Sequence, residues 1–349
     1  MSSKYVAYVG CYTHEEDDGI HIFDVDVEKG RMTERKTAAL TNSTYVALSH
    51  NGKYLYSITD NGVASFSVLP DGDLEMINVH TINGMRGCHL ELTKDDRYLA
   101  VSGYHDGKIT ILRCSEDGSI DCITDEVFHK GLGSISERNY RPHIMWSTFT
   151  PDEELLCACD SGIDQIKIYN FDHRTGKLKL YDIIRTQLET APREIVFSPD
   201  GKRAYVVCEM KNYINVYDYK KEDGRYTFEF VQNIFTVRKQ FKTNNAPYHF
   251  SISNDGKHAV CTNAGSNSLT MYEIKEDGML SMLGNLPVSG NYPKFAQIFP
   301  DDKHVCCMNT EGNSITFFTI HWDKGLIVMN GPEIKIKTPN NMVMKKLDK

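Results

Sequence analysis

The chain has 349 residues, of which 40% are hydrophobic and 25% charged, values typical of a globular protein with a large core rather than a disordered chain. Its 39 basic and 47 acidic residues give a net charge of −8, which disfavours nucleic acid as a partner. No apolar run approaches the roughly 18 residues of a membrane span, and the first residues lack the basic and apolar regions of an export signal, so we expect a soluble, cytosolic protein.

One sequence phrase recurs six times after the first forty residues. Each copy has an apolar alternation, then a Ser, Thr or Pro, an Asx residue, a Gly or acidic residue, and a second apolar run. The Asx anchors repeat with a period of about fifty residues: Asn51, Asp95, Asp152, Asp200, Asp255 and Asp301. Large apolar residues stand three positions before every anchor, which predicts a half-buried strand leading into a hairpin turn and a second strand.

Each pair of strands is followed by a third strand-like segment, as at 211–219, and then by a weaker, more polar fourth segment. Four antiparallel strands graded from apolar to polar are typical of a propeller blade that runs from the central channel to the rim. Apolar spacing of three and four residues, which a helical solenoid requires, is absent. The repeat therefore predicts an all-β protein of about seven blades.

The two ends of the chain complement each other. The strand-like run at 4–12 has no first strand of its own, and the segment NNMVMKKL at 340–347 follows the seventh unit. We expect this tail to supply the missing inner strand of the first blade, which closes the ring and removes exposed sheet edges. Residues 1–349 are thus predicted to form a single seven-bladed β-propeller domain with four-stranded antiparallel blades, closed by the C-terminal strand.

Ten cysteines are present, and most lie inside the apolar strand segments, as Cys157 and Cys208 do. Nothing in the sequence indicates an oxidising compartment, so we expect reduced thiols that act as small buried hydrophobes. There is no matching pair of Cys or His motifs with metal-ligand spacing, and no metal site is expected.

The position seven residues before each anchor should lie at the channel mouth, and the second strand should return to that mouth eight or nine residues after the anchor. Arg193 and Glu209 of the fifth unit are therefore expected to face the same mouth, with Lys294 of the seventh unit as a second cation. An arginine and a carboxylate placed there can orient a water molecule and stabilise a developing oxyanion. A purely structural ion pair between adjacent strands is the alternative.

Several other side chains enter or begin inner strands. His143 and Met145 lie two residues apart on the first strand of the fourth unit, so both could face the channel, and a histidine there could act as a base near neutral pH. A hydrogen-bonded structural histidine is the alternative, also for His89 and His249, which begin inner strands of the third and sixth units. Three arginines lie in connections that enter inner strands and could hold a phosphate or stay solvated: Arg86, Arg138 and Arg141.

The stretch APREIVFSPDGKRAYVVCEMKNYINVYDY at 191–219 resembles the lactonase family of seven-bladed propellers. This family includes the propeller-type 6-phosphogluconolactonases and the carboxymuconate-lactonizing enzymes. Similar stretches at 87–112, 141–172 and 293–315 extend the resemblance over nearly the whole chain, in the same blade order.

The resemblance implies roles for individual residues. The catalytic arginine and glutamate of the family fall on Arg193 and Glu209, whereas its inner-strand histidine falls on Met145, which cannot accept a proton. Either His143 substitutes for that histidine, or Glu209 acts alone, or the activity has changed. Lys294 stands where relatives commonly have arginine, so the planar fork of the guanidinium is lost.

The implied activity is hydrolysis of a sugar lactone, most closely 6-phospho-D-glucono-1,5-lactone to 6-phospho-D-gluconate in the pentose phosphate route, without a cofactor. We expect a small lactone or sugar acid, phosphorylated or not, as ligand and a monomer or weak homo-oligomer. Arg193, Glu209 and His143 are the expected catalytic residues. The residues expected to contact the substrate are Lys294, His249, His89, Met145 and Arg141. The alternatives are a lactonizing isomerase of an unsaturated diacid and a non-catalytic propeller that binds a metabolite or a protein.

Overall fold

The computed structural model describes residues 4–13, 19–134, 136, 139–238, 241 and 244–347. Its seven antiparallel sheets are the blades of a β-propeller, so the predicted all-β class and blade number are confirmed. In the described residues the only helices are two short 3₁₀ turns, Glu209–Lys211 and Trp322–Lys324. No helix among them is long and apolar enough to span a bilayer.

Blades 1 to 3 contain, in chain order, β1 (Tyr5–Cys11), β2 (Gly19–Asp26), β3 (Arg31–Ala39); β4 (Val46–Leu48), β5 (Tyr54–Thr59), β6 (Gly62–Val68), β7 (Leu74–Thr81); β8 (His89–Leu92), β9 (Tyr98–Gly103), β10 (Lys108–Cys114) and β11 (Ile120–Phe128). Blades 4 and 5 contain β12 (Ile144–Phe149), β13 (Leu155–Asp160), β14 (Gln165–Asp172), β15 (Lys177–Arg185); β16 (Pro192–Phe197), β17 (Arg203–Cys208), β18 (Tyr213–Glu222) and β19 (Arg225–Phe235). Blades 6 and 7 contain β20 (Ala246–Ile252), β21 (His258–Ala264), β22 (Ser268–Ile274), β23 (Leu280–Pro287); β24 (Pro293–Ile298), β25 (His304–Asn309), β26 (Ser314–His321), β27 (Leu326–Met329) and β28 (Ile334–Lys335). The last strand, β29 (Pro339–Lys346), returns to blade 1.

The recurring phrase forms the turn between the first two strands of a blade. In blade 5 the hydroxyl of Ser198 donates to Asp200 Oδ1 at 2.6 Å, and the same oxygen accepts the backbone N–H of Lys202 at 3.1 Å. Gly201 between them has φ +70°, a left-handed conformation that glycine adopts without steric cost. The side chain of the anchor thus replaces backbone partners within the turn, which explains why Asx and Gly recur together.

The core is divided among the blade interfaces. Buried apolar side chains of the described chain form seven clusters, and each cluster lies between two adjacent blades, including blades 1 and 7. Packing between neighbouring blades therefore continues around the whole ring.

All ten cysteines lie in the described residues, all are unpaired, and eight of them are buried.

Ring closure occurs as the sequence predicts. Strand β29 pairs antiparallel with β1, from Tyr5 opposite Lys346 to Cys11 opposite Pro339. The buried side chain of Asn341 extends this closure to blade 2, because its Oδ1 accepts the N–H of Val46 at 3.0 Å and its Nδ2 donates to the carbonyl of Val46 at 2.9 Å. The C-terminal strand is thus the inner strand of blade 1.

Candidate active site

The inner strands of four blades contain a β-bulge near the channel mouth. In blade 5, Pro192 pairs with Cys208 and Glu194 pairs with Val207, so that no residue of the neighbouring strand lies opposite Arg193 in the register. Register shifts at the corresponding place in blades 4, 6 and 7 leave Met145, Tyr248 and Lys294 in the same situation. A bulge re-aims the extra side chain, and all four of these side chains line one cavity at the channel mouth.

This cavity has a volume of about 350 Å³, which suits a small ligand. Its walls include Arg193, Glu209, Tyr248, His249 and Lys294. In the part of the chain that the structure describes, no group of three or more His, Cys, Asp or Glu side chains could hold a metal ion. The cavity walls present cationic side chains, a carboxylate, a histidine and a phenol.

An aromatic layer closes the bottom of the cavity. The ring of His89 stacks on Trp146 with centroids 3.6 Å apart, and Tyr45 meets both rings edge-on. On the other side, His249 stacks on Phe295 at 3.9 Å and lies 6.1 Å from Trp146. We call these five side chains, Tyr45, His89, Trp146, His249 and Phe295, the aromatic layer. They occupy the position six residues before the anchor in five blades, a regularity that was visible in the sequence but that our sequence analysis missed.

The structure brings Arg193 and Glu209 together. Arg193 Nη1 donates to Glu209 Oε2 at 2.8 Å, and both side chains are about nine-tenths buried. Glu209 does not lie on a strand but begins the short 3₁₀ helix after β17, and its backbone N–H donates to the carbonyl of Ala191 at 3.0 Å. Arg193 and Glu209 therefore lie close together at one mouth, as expected, but a turn rather than a strand positions the carboxylate.

Arg193 is fixed on its other side by Tyr248 of blade 6. Its Nε donates to the backbone carbonyl of Tyr248 at 3.1 Å, and the guanidinium lies 3.2 Å from the centroid of the Tyr248 ring. Burial by itself would lower the pKa of Arg193, but Tyr248 and Glu209 outweigh burial and hold the pKa above its ordinary value. Arg193 is thus a permanent cation in a fixed orientation.

Two more cationic side chains reach the cavity. Lys294 lies 5.4 Å from the Tyr248 ring and 5.8 Å from the Tyr292 ring, and burial together with the charge of Arg193 lowers the pKa of Lys294. Arg86 also lines the cavity; it donates to the hydroxyl of Tyr12 at 2.6 Å, packs on the ring of Tyr12 and lies 4.0 Å from Asp60. The cavity is therefore a local positive region on a protein of negative net charge.

A second ordered acid and base pair lies directly below Arg193. Glu194 is fully buried, and its Oε1 lies 2.9 Å from Nδ1 of His249. The other oxygen, Oε2, accepts the backbone N–H of Phe250 at 2.9 Å. Adjacent residues of blade 5 thus bind adjacent residues of blade 6, Arg193 to Tyr248 and Glu194 to His249.

Three predicted site residues are not among those that line the cavity. His143 is only 4% exposed, its ring stacks on Tyr104, and its Nδ1 bonds with the carbonyl of Tyr104 at 2.8 Å. It precedes the bulge of blade 4, which turns Met145 rather than His143 toward the cavity. The expectation that His143 faces the channel as a base is therefore corrected by the geometry.

The other two residues, His89 and Arg141, do not line the cavity for separate reasons. His89 is 1% exposed and lies beneath Trp146, and burial together with the charge of His249 holds the pKa of His89 well below its usual value. Arg141 is exposed and donates to the carbonyl of His105 at 3.2 Å. Arg138 lies outside the described residues. Met145, His249 and Lys294 are the predicted contact residues that do line the cavity.

Fold and cavity together define a seven-bladed propeller with a polar site at one channel mouth. Residues 6–344 match the family model described as lactonase, 7-bladed beta-propeller. The chain is 31% identical over 299 residues to a 6-phosphogluconolactonase of Bacillus subtilis, with 84% of each chain covered. It is 30% identical over 302 residues to a 6-phosphogluconolactonase of Formosa agariphila, which covers 82% of this chain and 84% of that one. The chain therefore belongs to the lactonase family of seven-bladed β-propellers, and the resemblance found in the sequence is confirmed.

A solved structure supports the fold independently. The periplasmic gluconolactonase of Pseudomonas aeruginosa superposes with a TM-score of 0.92 at 21% identity, covering 99% of this chain and 100% of that chain. The blade arrangement is thus preserved where most of the sequence has changed.

Proposed function

We propose that this protein hydrolyses a sugar lactone in the cavity at the channel mouth, and that its substrate is 6-phospho-D-glucono-1,5-lactone. The observation that carries the proposal is the buried pair of Arg193 and Glu209, 2.8 Å apart and facing a cavity of about 350 Å³. Family membership and two relatives named 6-phosphogluconolactonase support the choice of reaction and substrate.

In the proposed reaction, Arg193 donates hydrogen bonds to the carbonyl oxygen of the lactone. Water adds to the carbonyl carbon, negative charge develops on that oxygen, and a fixed cation in a water-poor site stabilises the charge more than it stabilises the neutral substrate. Glu209 holds Arg193 from one side and orients the attacking water. The ring C–O bond then breaks and the ring oxygen takes up a proton, so that only protons are moved and no cofactor is required.

The cationic walls favour an anionic substrate. Lys294 and Arg86 line the cavity on either side of Arg193's blade, and a phosphate group on the lactone would neutralise part of this positive region. We include the cytosol in the proposal, because ten unpaired cysteines are typical of a reducing compartment.

The test is the rate of lactone opening above the spontaneous rate. Purified protein is assayed by proton release with 6-phosphogluconolactone and gluconolactone and by proton uptake with an unsaturated diacid, for wild type, Arg193→Ala and Glu209→Gln. We expect catalysis with the phosphorylated lactone and a loss of about 10²–10³-fold in kcat for Arg193→Ala, as for removal of an oxyanion donor. Arg113→Ala removes an exposed arginine that also pairs with a carboxylate, Asp121, and should keep full activity.

Circular dichroism and melting curves establish that each variant is folded. A wild-type rate equal to the spontaneous rate with every lactone would overturn the proposal in favour of a non-catalytic propeller. Turnover of the diacid alone would point to a lactonizing isomerase. Full activity in both folded variants would show that the chemistry lies elsewhere.

A further inference from the structure

The proposed reaction needs a group that accepts a proton from the attacking water. We propose that His249, oriented by the buried carboxylate of Glu194, is this general base, and that Glu209 serves to hold Arg193. The inference rests on the proposed lactone hydrolysis and assigns a residue that the sequence marked only as a possible substrate contact.

The hydrogen bonds fix the tautomer of His249. A carboxylate only accepts hydrogen bonds, and Glu194 receives one from the N–H of Phe250 and one from Nδ1 of His249. Nδ1 therefore carries the proton, and the lone pair of the neutral ring is on Nε2. Within the described part of the chain Nε2 has no hydrogen-bond partner, and the partly exposed His249 side chain lines the cavity. The basic nitrogen is thus available to a water molecule in the cavity.

The ring is also held in place by packing. Its plane lies 11° from that of Phe295 at a centroid distance of 3.9 Å, and its backbone N–H donates to Thr262 Oγ1 at 3.1 Å. A base oriented by a carboxylate and by stacking needs no reorganisation when it accepts a proton. Because Arg193 binds the carbonyl of Tyr248, the residue next to His249, the same two strands position the oxyanion donor and the base.

The other candidate bases in the site are less suitable. Protonation of Glu209 would break its buried ion pair with Arg193, which leaves the guanidinium without its counter-ion. His89 does not line the cavity. His105 is exposed at the cavity rim, and none of the described hydrogen bonds or ion pairs joins it to a carboxylate that could orient it.

The atoms balance along this route. As the water oxygen bonds to the carbonyl carbon, one water proton moves to Nε2 of His249, and Arg193 stabilises the oxyanion. When the intermediate collapses, the ring C–O bond breaks and Nε2 returns the proton to the ring oxygen. His249 is neutral again, Glu194 keeps its charge throughout, and the product is the open hydroxy acid.

Charges on the surrounding elements act on this base. Glu194 of blade 5 favours the protonated ring, whereas Arg193 of blade 5 and Lys294 of blade 7 disfavour it. Glu209 partly neutralises Arg193. Arg86 also lines the cavity and adds to the effect of the two cations. The other titratable side chains of the layer and cavity are His89, His105, Cys88, Tyr12, Tyr45, Tyr104, Tyr248 and Tyr292. Burial holds the pKa of His89 low and raises the pKa of Tyr45, Tyr248 and Cys88, so these four groups stay uncharged near neutral pH.

The experiment is the pH dependence of kcat and kcat/KM on the phosphorylated lactone, corrected for spontaneous opening. Wild type should lose activity toward acidic pH as His249 becomes protonated. His249→Gln should lower kcat by about 10²–10⁴-fold, leave KM within a few-fold, and remove the acidic limb. Added imidazole should restore part of the activity of His249→Ala. Glu194→Gln should move the limb to lower pH, because the positioning carboxylate no longer favours the protonated ring.

His304→Gln is the matched control, because His304 pairs with Asp301 at 2.7 Å in a turn remote from the cavity. It should keep the wild-type profile. An active wild type whose acidic limb survives in folded His249→Gln, or stays at the wild-type pH in folded Glu194→Gln, overturns the inference but leaves the proposed function intact. Loss of the limb in His105→Gln instead also overturns it. A wild type without catalysis overturns both proposals.

Discussion

The two ends of the channel are built from the same inner strands but carry different chemistry. Above the aromatic layer, the bulges present Arg193, Tyr248 and Lys294 to a cavity of about 350 Å³. Below the layer, a second cavity of about 270 Å³ is lined by regularly paired strand residues, such as Glu91 and Thr148, and by turn residues, such as Lys94 and Glu153. One irregularity near the start of four inner strands thus distinguishes the upper mouth from the lower end of the channel.

The electrostatics of the two ends differ in the same way. In the upper cavity the carboxylate of Glu209 has a guanidinium partner at 2.8 Å. In the lower cavity burial, reinforced by the nearby Glu153 carboxylate, raises the pKa of Glu91 to about 8. Glu209 therefore has a cationic partner, whereas none of the described ion pairs involves Glu91.

The largest effect is expected from removing β29, the C-terminal strand that forms the inner strand of blade 1. Deletion of residues 338–349 removes β29, leaves β1 as an open edge and breaks the Asn341 bonds to blade 2. We expect the melting temperature to fall by roughly 10 °C or more, since several kcal/mol of packing are lost. Calorimetry of the truncated and complete chains measures this, and a peptide of residues 338–349 added in trans should raise the melt again. An unchanged melt would contradict closure by this strand.

The next effect concerns the partition between the two cavities. Trp146 lines both of them, and its Nε1 donates to Thr148 Oγ1 at 2.7 Å. Trp146→Ala should cost about 3 kcal/mol and lower lactonase kcat/KM, because water then enters the upper site from below. Trp322→Ala is the matched control.

Trp322 is the other of the two tryptophans, and it stacks on His258 away from the cavity. Its replacement should lower the melting temperature without changing kcat/KM of the folded enzyme. Equal kinetic effects of the two variants would show that the partition has no role beyond stability.

Some of this architecture was predictable because it repeats. The anchors Asp200 and Asp255 mark turns whose hydrogen bonds are local, so the sequence alone indicates them. The pairing of β29 with β1 followed from one strand missing at one end and one left over at the other. Arg193 and Glu209 were placed together by strand direction, although Glu209 proved to lie in a 3₁₀ turn.

The bulges could not be predicted from the alternation of apolar and polar residues along the strands. A period of two assigns alternate residues to opposite faces, whereas the bulge in blade 5 lets Arg193 and Glu194 both act across the inner strands. This is why His143 and Met145 were both expected to face the channel, and why the pair of Glu194 and His249 was missed. A signal was present, because Pro192, Pro247 and Pro293 stand just before three of the bulges, and proline in a sheet is confined to edges and bulges.

A substitution in the lower cavity should have a smaller effect, and this effect concerns only the free energy of unfolding. For an acid whose pKa is raised from 4.5 to about 8 by folding, stability is full below pH 4.5 and is lost as the pH rises to about 8. The free energy of unfolding of Glu91→Gln, relative to that of wild type, should therefore rise by roughly 1–3 kcal/mol as the pH increases from 4.5 to 8. Urea unfolding at both pH values measures the gain, and Glu222→Gln, an exposed position, should show none. A constant difference at both pH values would contradict a raised pKa of Glu91 in the folded protein.

The smallest effect concerns a single cation of the upper end. Lys294→Met should weaken binding of the phosphorylated sugar acid product by about tenfold, or roughly 1.4 kcal/mol, and leave binding of the unphosphorylated acid nearly unchanged. Because burial and Arg193 lower the pKa of Lys294, wild-type affinity for the phosphorylated acid should decline toward alkaline pH, whereas Lys294→Arg should keep it. Titration calorimetry between pH 7 and about pH 9.5 avoids spontaneous lactone opening, since the acid is already open. If Lys294→Met weakens both acids equally, Lys294 acts on the sugar or its carboxylate and not on the phosphate.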